Sequence, residues 1–256
     1  MATTARPAAP GQSLERNFFL GFALACWLGV IMGFFPASSA RLAGKADYVA
    51  PLILHIHAVA FICWMFLLLA QVLLVRNDAR ARHRKLGRVA MVLMPVMVLS
   101  GFFAEVYSQR FYLSHPPDSQ AFFILPIYYV LAFGTLAGFA IARRGDPQAH
   151  KRLIYLATAV IAGAAYARWW GHAIEARFGE GYFGLIARTF AGTNLFLVAL
   201  VAFDLAAQRR LHRITIIGVT AVVASEFVVS WIYHAPGWLP IARAIVTPLP
   251  GPPITG

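Results

Sequence analysis

Charged residues are scarce in this chain, and acidic residues are the scarcest of them. Only 12% of the 256 residues are charged, with 10 acidic and 22 basic side chains. Soluble domains carry about 25% charged residues, so the composition excludes an ordinary soluble protein. The few charges also cluster and leave apolar runs of about 20 residues, the length that crosses a bilayer core of about 30 Å. The composition therefore predicts an integral membrane protein.

Cysteine and the common catalytic motifs are also nearly absent. The two cysteines, Cys26 and Cys63, lie inside apolar runs without a CxxC pair, so we expect them to be packing residues. The sequence has no HExxH, no glycine-rich phosphate loop, no GxSxG and no nucleotide fingerprint, which excludes the functions that these motifs carry. Whether the protein is an enzyme stays open at this point.

The net charge of +12 comes from basic residues that gather in a few segments. No basic soluble domain is present, so we expect no nucleic-acid partner. Fifteen of the 22 Lys and Arg lie in the N-terminal tail and in segments 76–88, 143–152 and 208–213. Cytoplasmic loops collect such residues, which predicts a multi-pass protein of the bacterial inner membrane, with the N-terminus inside and the C-terminus outside. We expect the basic loops to contact anionic lipid headgroups.

The apolar runs predict seven membrane spans, and their lengths fit helices because backbone groups in lipid must bond internally. The spans are expected at roughly 17–36, 50–75, 86–107, 121–142, 152–175, 184–207 and 213–234. The predicted fold is an all-α bundle of about seven transmembrane helices. We expect a cytoplasmic tail over 1–16, the transmembrane domain over 17–236 and an extracytoplasmic tail over 237–256.

A repeat runs through the last six spans. Spans 2–3, 4–5 and 6–7 each form a predicted helical hairpin with a basic loop, and the second helix of each opens with histidine followed by a basic residue. These histidines are His83, His150 and His212. Counting 22 residues forward from each reaches Glu105, His172 and His234, a rise of about 33 Å on nearly the same helix face.

The three inner histidines have two interpretations. In the first, they are tolerated at the interface while the neighbouring Arg and Lys extend to the headgroups. In the second, two of them face inward and ligate haem iron or another metal through neutral imidazole nitrogens. The best candidates for ligands are His83 and His150.

A second polar group is predicted near the outer surface. Its candidate metal ligands are His57, Glu105, His172 and Glu226, and its other polar residues are Arg168, Asn194, His55 and His234. Ionisable groups in a bilayer are costly and tend to pair or to line cavities. Two possibilities follow: a structural ion pair between Arg168 and Glu226, or an outward-opening cavity that binds a ligand, a metal or a proton.

The stretch "HIHAVAFICWMFLLLAQVLLVR…HRKLG…HKRLIYLAT" resembles a widespread group of uncharacterised bacterial polytopic membrane proteins, across spans 2–6. It is also similar to transmembrane di-haem cytochromes b of the ascorbate-reducible kind, in which histidines from two helices grip each haem. That resemblance implies that His83 and His150 ligate an inner haem, and that His57 opens the first core helix. The predicted fourth span has no histidine, His115 precedes it in a loop, and His172 lies on a different helix from the one the pattern requires.

The leading hypothesis is therefore a membrane redox protein that binds haem b and carries electrons in or across the membrane, with membrane redox proteins as partners. Its candidate haem ligands are His83 and His150, followed by His57 and His172. The alternative is a haem-free protein whose outward polar cavity takes a transition metal or small molecule, acting as a binder, a permease or a membrane-embedded enzyme. A third hypothesis is an accessory subunit of a larger membrane complex, with no cofactor.

Overall fold

A computed structural model of the chain describes residues 10–46, 48–114 and 117–249. Within these ranges the chain is helical and has no strand, as the composition predicts. Two 3₁₀ turns, Tyr112–Ser114 and Pro117–Phe123, accompany the α-helices. The α-helices of the described ranges are α1 (Pro10–Leu42), α2 (Leu52–Arg76), α3 (Arg80–Gly87), α4 (Val89–Phe111), α5 (Ile124–Ala142), α6 (Pro147–Phe178), α7 (Tyr182–Gln208), α8 (Arg213–His234) and α9 (Trp238–Val246).

Seven helical segments of the described chain are long and apolar enough to cross a membrane, which confirms the predicted all-α membrane bundle. The short helix α3 and the long helix α4 form one of these segments, Arg80–Phe111. Helices α2 and α4, α5 and α6, and α7 and α8 pack against each other as the three predicted hairpins. We call the end of the bundle that carries their connecting loops, at 77–79, 143–146 and 209–212, the basic end.

Helix α6 lies at the centre of the bundle. It packs against α1, α5, α7 and α8, and 67% of its most apolar stretch is buried, more than in any other span of the described chain. Small residues make this position possible, because they let helix backbones approach closely. A Cβ added to Gly163 would lie 2.0 Å from Thr193 Oγ1, and one added to Gly192 would lie 2.4 Å from Tyr166 Cβ. The α6–α7 interface therefore depends on glycine from both helices.

The first helix starts earlier than predicted. Span 1 was expected to begin near residue 17, but α1 begins at Pro10 and its first turns bond to the basic end. Glu15 lies 2.7 Å from Lys151 Nζ, and Arg16 donates to both carboxylate oxygens of Asp78 at 2.8 Å. These contacts hold the amino-terminal turns of α1 against the loops. Residues 1–9 of the predicted tail lie outside the described residues.

The segment after α8 contains a further helix, α9, where a tail was expected. Its buried residues, Trp238, Ala242 and Val246, recur every four positions, so one face packs against the bundle. The indole of Trp238 donates to the Ala121 carbonyl at 2.9 Å, and Arg110 donates to the carbonyls of Thr247 and Leu249. Residues 250–256 of the predicted tail lie outside the described residues.

Candidate functional site

The basic end brings His83 and His150 together. His83 lies in α3 and His150 lies in the first turn of α6, so the two residues come from different hairpins. Their ring centroids are 6.4 Å apart, and the ring planes are nearly perpendicular at 85°. Both side chains are half-buried. This convergence is the arrangement that the second interpretation of the inner histidines requires.

The ring of His150 has one nitrogen held by backbone. The Nδ1 of His150 lies 2.8 Å from the Ala140 carbonyl oxygen. A carbonyl only accepts, so Nδ1 donates, and in the neutral ring Nε2 has a free lone pair. Histidines that bind metals show this pattern, with the second nitrogen fixed by a carbonyl. The Nδ1 of His83 is buried without a hydrogen-bond partner among the described residues.

The third inner histidine has a structural role. His212 is the N-cap of α8, and its Nδ1 accepts a hydrogen bond from the backbone N–H of Ile214 at 3.1 Å. Partial burial lowers the pKa of His212 below its ordinary value, and the nearby charge of Arg152 acts in the same direction. The imidazole is therefore kept neutral, as an accepting cap must be. The three repeated histidines divide into a converging pair and a helix cap.

A fully buried ion pair, which the sequence analysis did not identify, lies at the same end. Arg152 of α6 donates to Asp204 of α7 through Nε and through a second nitrogen, and both side chains are 0% exposed. Asp204 also accepts from the His212 backbone N–H at 3.0 Å and from Thr215 Oγ1 at 2.5 Å. Arg152 donates further to Gln148. A lone aspartate in the apolar stretch 195–207 was the sequence signal for this pair.

Glu226 lies in the opposite half of the bundle. It is buried as predicted, but its hydrogen-bond partner is not the residue that we expected. Its carboxylate is 1% exposed and accepts from Asn194 Nδ2 at 2.9 Å. The expected ion pair with Arg168 does not form, because Arg168 is exposed, bonds to the Ala164 carbonyl and lies 4.8 Å from the ring centre of Phe34. The prediction that Glu226 avoids lipid is confirmed, whereas the Arg168 pairing is wrong.

Two more predicted residues lie near each other in this half. The ring of His57 lies close to Gly101, since a Cβ added to that glycine would be 3.5 Å from the ring. The Nδ1 of His57 is buried without a hydrogen-bond partner in the described chain. Glu105, one turn beyond Gly101, accepts from Gln109 Nε2 at 2.8 Å. His57 of α2 therefore packs against α4 at Gly101, one turn from Glu105.

The remaining predicted residues do not join a site. The side chain of His172 is 99% exposed, and its ring lies 3.9 Å from Glu175. His55 and His234 each contact a carbonyl four residues earlier on their own chain segment, at Pro51 and Ser230. No group of three or more His, Cys, Asp or Glu in the described ranges is arranged to hold a metal ion. The predicted metal set of His57, Glu105, His172 and Glu226 is therefore not assembled.

Comparison of the chain with family models, with curated proteins and with solved structures found no match.

Proposed function

We propose that this protein is a membrane redox protein that holds one b-type haem between His83 and His150 and passes electrons in or across the membrane. The separation of the two rings carries the proposal. Two imidazoles from different helices, with ring centroids 6.4 Å apart, would together hold one haem iron.

The number of ligands favours haem over a bare metal ion. A tetrahedral metal site needs four ligands, and in the described chain no third His, Cys, Asp or Glu completes such a group. Two axial nitrogens are sufficient for haem, because the porphyrin supplies the other four. When bound, haem supplies reversible one-electron transfer. The Ala140 carbonyl would orient the imidazole of His150.

The opposite half does not fit the second haem that the resemblance implies. His57 would need a histidine partner there, and His172 points away from the bundle with an exposed side chain. In the described chain, the ring next to His57 belongs to Phe61, with centroids 4.3 Å apart. We therefore propose a single haem at the basic end.

The proposed location is the bacterial inner membrane, with the basic end in the cytoplasm. Exposed cations support this orientation and favour contact with anionic headgroups, since cytoplasmic leaflets carry such lipids. The exposed cations are Arg80, Arg82, Arg84, Lys85, Arg88, Arg143, Arg144, Arg209, Arg210 and Arg213. Reporter fusions at residue 80 and after residue 250 should report opposite sides of the membrane, and signals from the same side would refute the orientation.

The test is the visible spectrum and iron content of the purified protein. Wild type should show a Soret band, and His83→Ala and His150→Ala should each lose most of it, because one axial ligand holds haem weakly. His172→Ala is the matched control, since this exposed histidine should leave the spectrum unchanged. Binding should weaken as pH falls through about 6, because only neutral imidazole ligates iron.

Three results would overturn the proposal. A colourless protein that contains a transition metal would favour the metal-binding alternative. A colourless, metal-free protein that purifies with other membrane proteins would favour an accessory subunit. A spectrum that both alanine variants leave intact would place the haem elsewhere.

A further inference from the structure

Glu226 and Ser230 are two buried polar residues inside the membrane-spanning part of α8, away from the haem site proposed above. The two residues are one helical turn apart, so their side chains lie on the same face of α8. Glu226 is 1% exposed and Ser230 is 0% exposed. Among the described residues, Glu226 Oε1 and Ser230 Oγ both lack a hydrogen-bond partner, although the other carboxylate oxygen accepts from Asn194.

No positive charge compensates Glu226. In the described chain no Lys, Arg or His nitrogen lies within 4.0 Å of its carboxylate, whereas Glu175 in the same half pairs with Arg188 at 2.5 Å. The titratable groups that interact with Glu226 are the phenols of Tyr128 and Tyr129 on α5. Phenols are neutral at physiological pH. An ionised carboxylate here would be buried, unpaired and only half hydrogen-bonded, which is costly.

We propose that Glu226 is a proton-binding site within the membrane, neutral in the resting protein. A proton on Oε1 would remove the uncompensated charge of the carboxylate, and Asn194 would continue to donate to Oε2. The site is independent of the haem, which would lie at the basic end.

A lipid-side approach to this carboxyl exists through Asn194. That residue lines an open apolar groove between α6 and α7, together with Trp170, Leu195 and Val198. Because Asn194 also bonds to Glu226, the groove lies one side chain away from the carboxyl. A hydrophobic carbodiimide, which partitions into lipid and adds the O–H of a protonated carboxyl across its C=N bond, is the matching probe.

The experiment is dicyclohexylcarbodiimide labelling of the full chain in detergent micelles, with the modified peptide identified by mass spectrometry. At neutral pH we expect labelling of Glu226 and none of Glu175, the internal control whose carboxylate is paired with Arg188. Labelling should fade as pH rises and should be absent in Glu226→Gln.

Infrared spectroscopy supplies a reading that does not depend on access of the reagent. Wild type should show the carbonyl stretch of a protonated carboxyl at neutral pH, and Glu226→Gln should lack that band. Absence of the band from wild type would overturn the proposal. Protection of Glu226 by sodium ions at constant pH would also overturn it, because the site would then bind a metal cation in place of the proton.

Discussion

The two ends of the bundle use their polar residues differently. At the basic end, side chains from separate helices meet: Arg152 bonds to Asp204, and His83 faces His150. In the opposite half, His55, Arg168 and His234 bond to backbone carbonyls of their own segments. The Glu226–Asn194 contact and the Glu175–Arg188 ion pair are exceptions there. Polar residues near the short connecting loops thus join helices together, whereas many of those far from the loops only satisfy local backbone.

Burial separates the two ends as well. The Arg152–Asp204 pair is fully buried. The Asp204 carboxylate accepts hydrogen bonds from Arg152 of α6, from Thr215 of α8 and from the His212 backbone N–H in the loop between α7 and α8. Arg168 and His172 in the opposite half are exposed. A buried pair is costly to break because the remaining partner keeps an uncompensated charge. The basic end should therefore be the more sensitive to single polar substitutions.

The largest effect is expected for Asp204→Ala. The substitution leaves the Arg152 charge buried and unpaired, and it removes the acceptor for Thr215 and for the His212 backbone. We expect a loss of about 3–5 kcal/mol in the free energy of unfolding. Denaturant unfolding in detergent micelles, followed by tryptophan fluorescence, measures this loss.

A matched control and a double variant sharpen this test. Asp78→Asn removes the charge of the exposed Asp78–Arg16 pair, keeps a side chain that tolerates the positive φ of residue 78, and should cost no more than about 1 kcal/mol. The double variant Arg152→Met with Asp204→Leu removes both charges and should be less destabilised than Asp204→Ala alone. Equal losses for Asp204→Ala and Asp78→Asn would remove the contrast between buried and exposed pairs.

A smaller loss is expected for Gly163→Ala in the middle of the bundle. The added methyl would meet Thr193 Oγ1 at 2.0 Å, so α6 and α7 must separate or Thr193 must move. We expect a loss of roughly 1–3 kcal/mol. Gly138→Ala is the control, since no heavy atom lies within 4 Å of the new Cβ and alanine favours the helix. A thermal melt in which both variants behave alike would contradict the close α6–α7 contact.

The smallest effect concerns the pH dependence of stability through His212. Its pKa is lower in the folded chain than in the unfolded chain, because the site is partly desolvated and faces Arg152. Protonation of His212 therefore favours unfolding. The stability that the neutral imidazole contributes is fully present above the pKa of the unfolded chain, about 6.5, and is lost as pH falls below that value. His212→Asn keeps an accepting cap without titrating. Melting temperatures of the variant should fall less than those of wild type between pH 7 and 5.

Part of the candidate site was predictable from sequence. His83 and His150 occupy equivalent places at helix starts in neighbouring hairpins, and short loops hold such starts at one end of a bundle. The Arg152–Asp204 pair was not predicted, because its residues are 52 positions apart and Arg152 looks like one more basic loop residue. His172 was predicted to face inward on spacing alone, but spacing along one helix does not show which face packs against a neighbour.

The sequence by itself determined the membrane class, the seven spans and the polarity of the two ends, because hydropathy and charge act locally and need no knowledge of packing. Only the tertiary structure decided which polar groups meet. In the folded chain Glu226 bonds to Asn194 and not to Arg168, and His212 caps helix α8. Those choices depend on how helices rotate and approach, which at α6 is set by small residues such as Gly163 that let α7 come close.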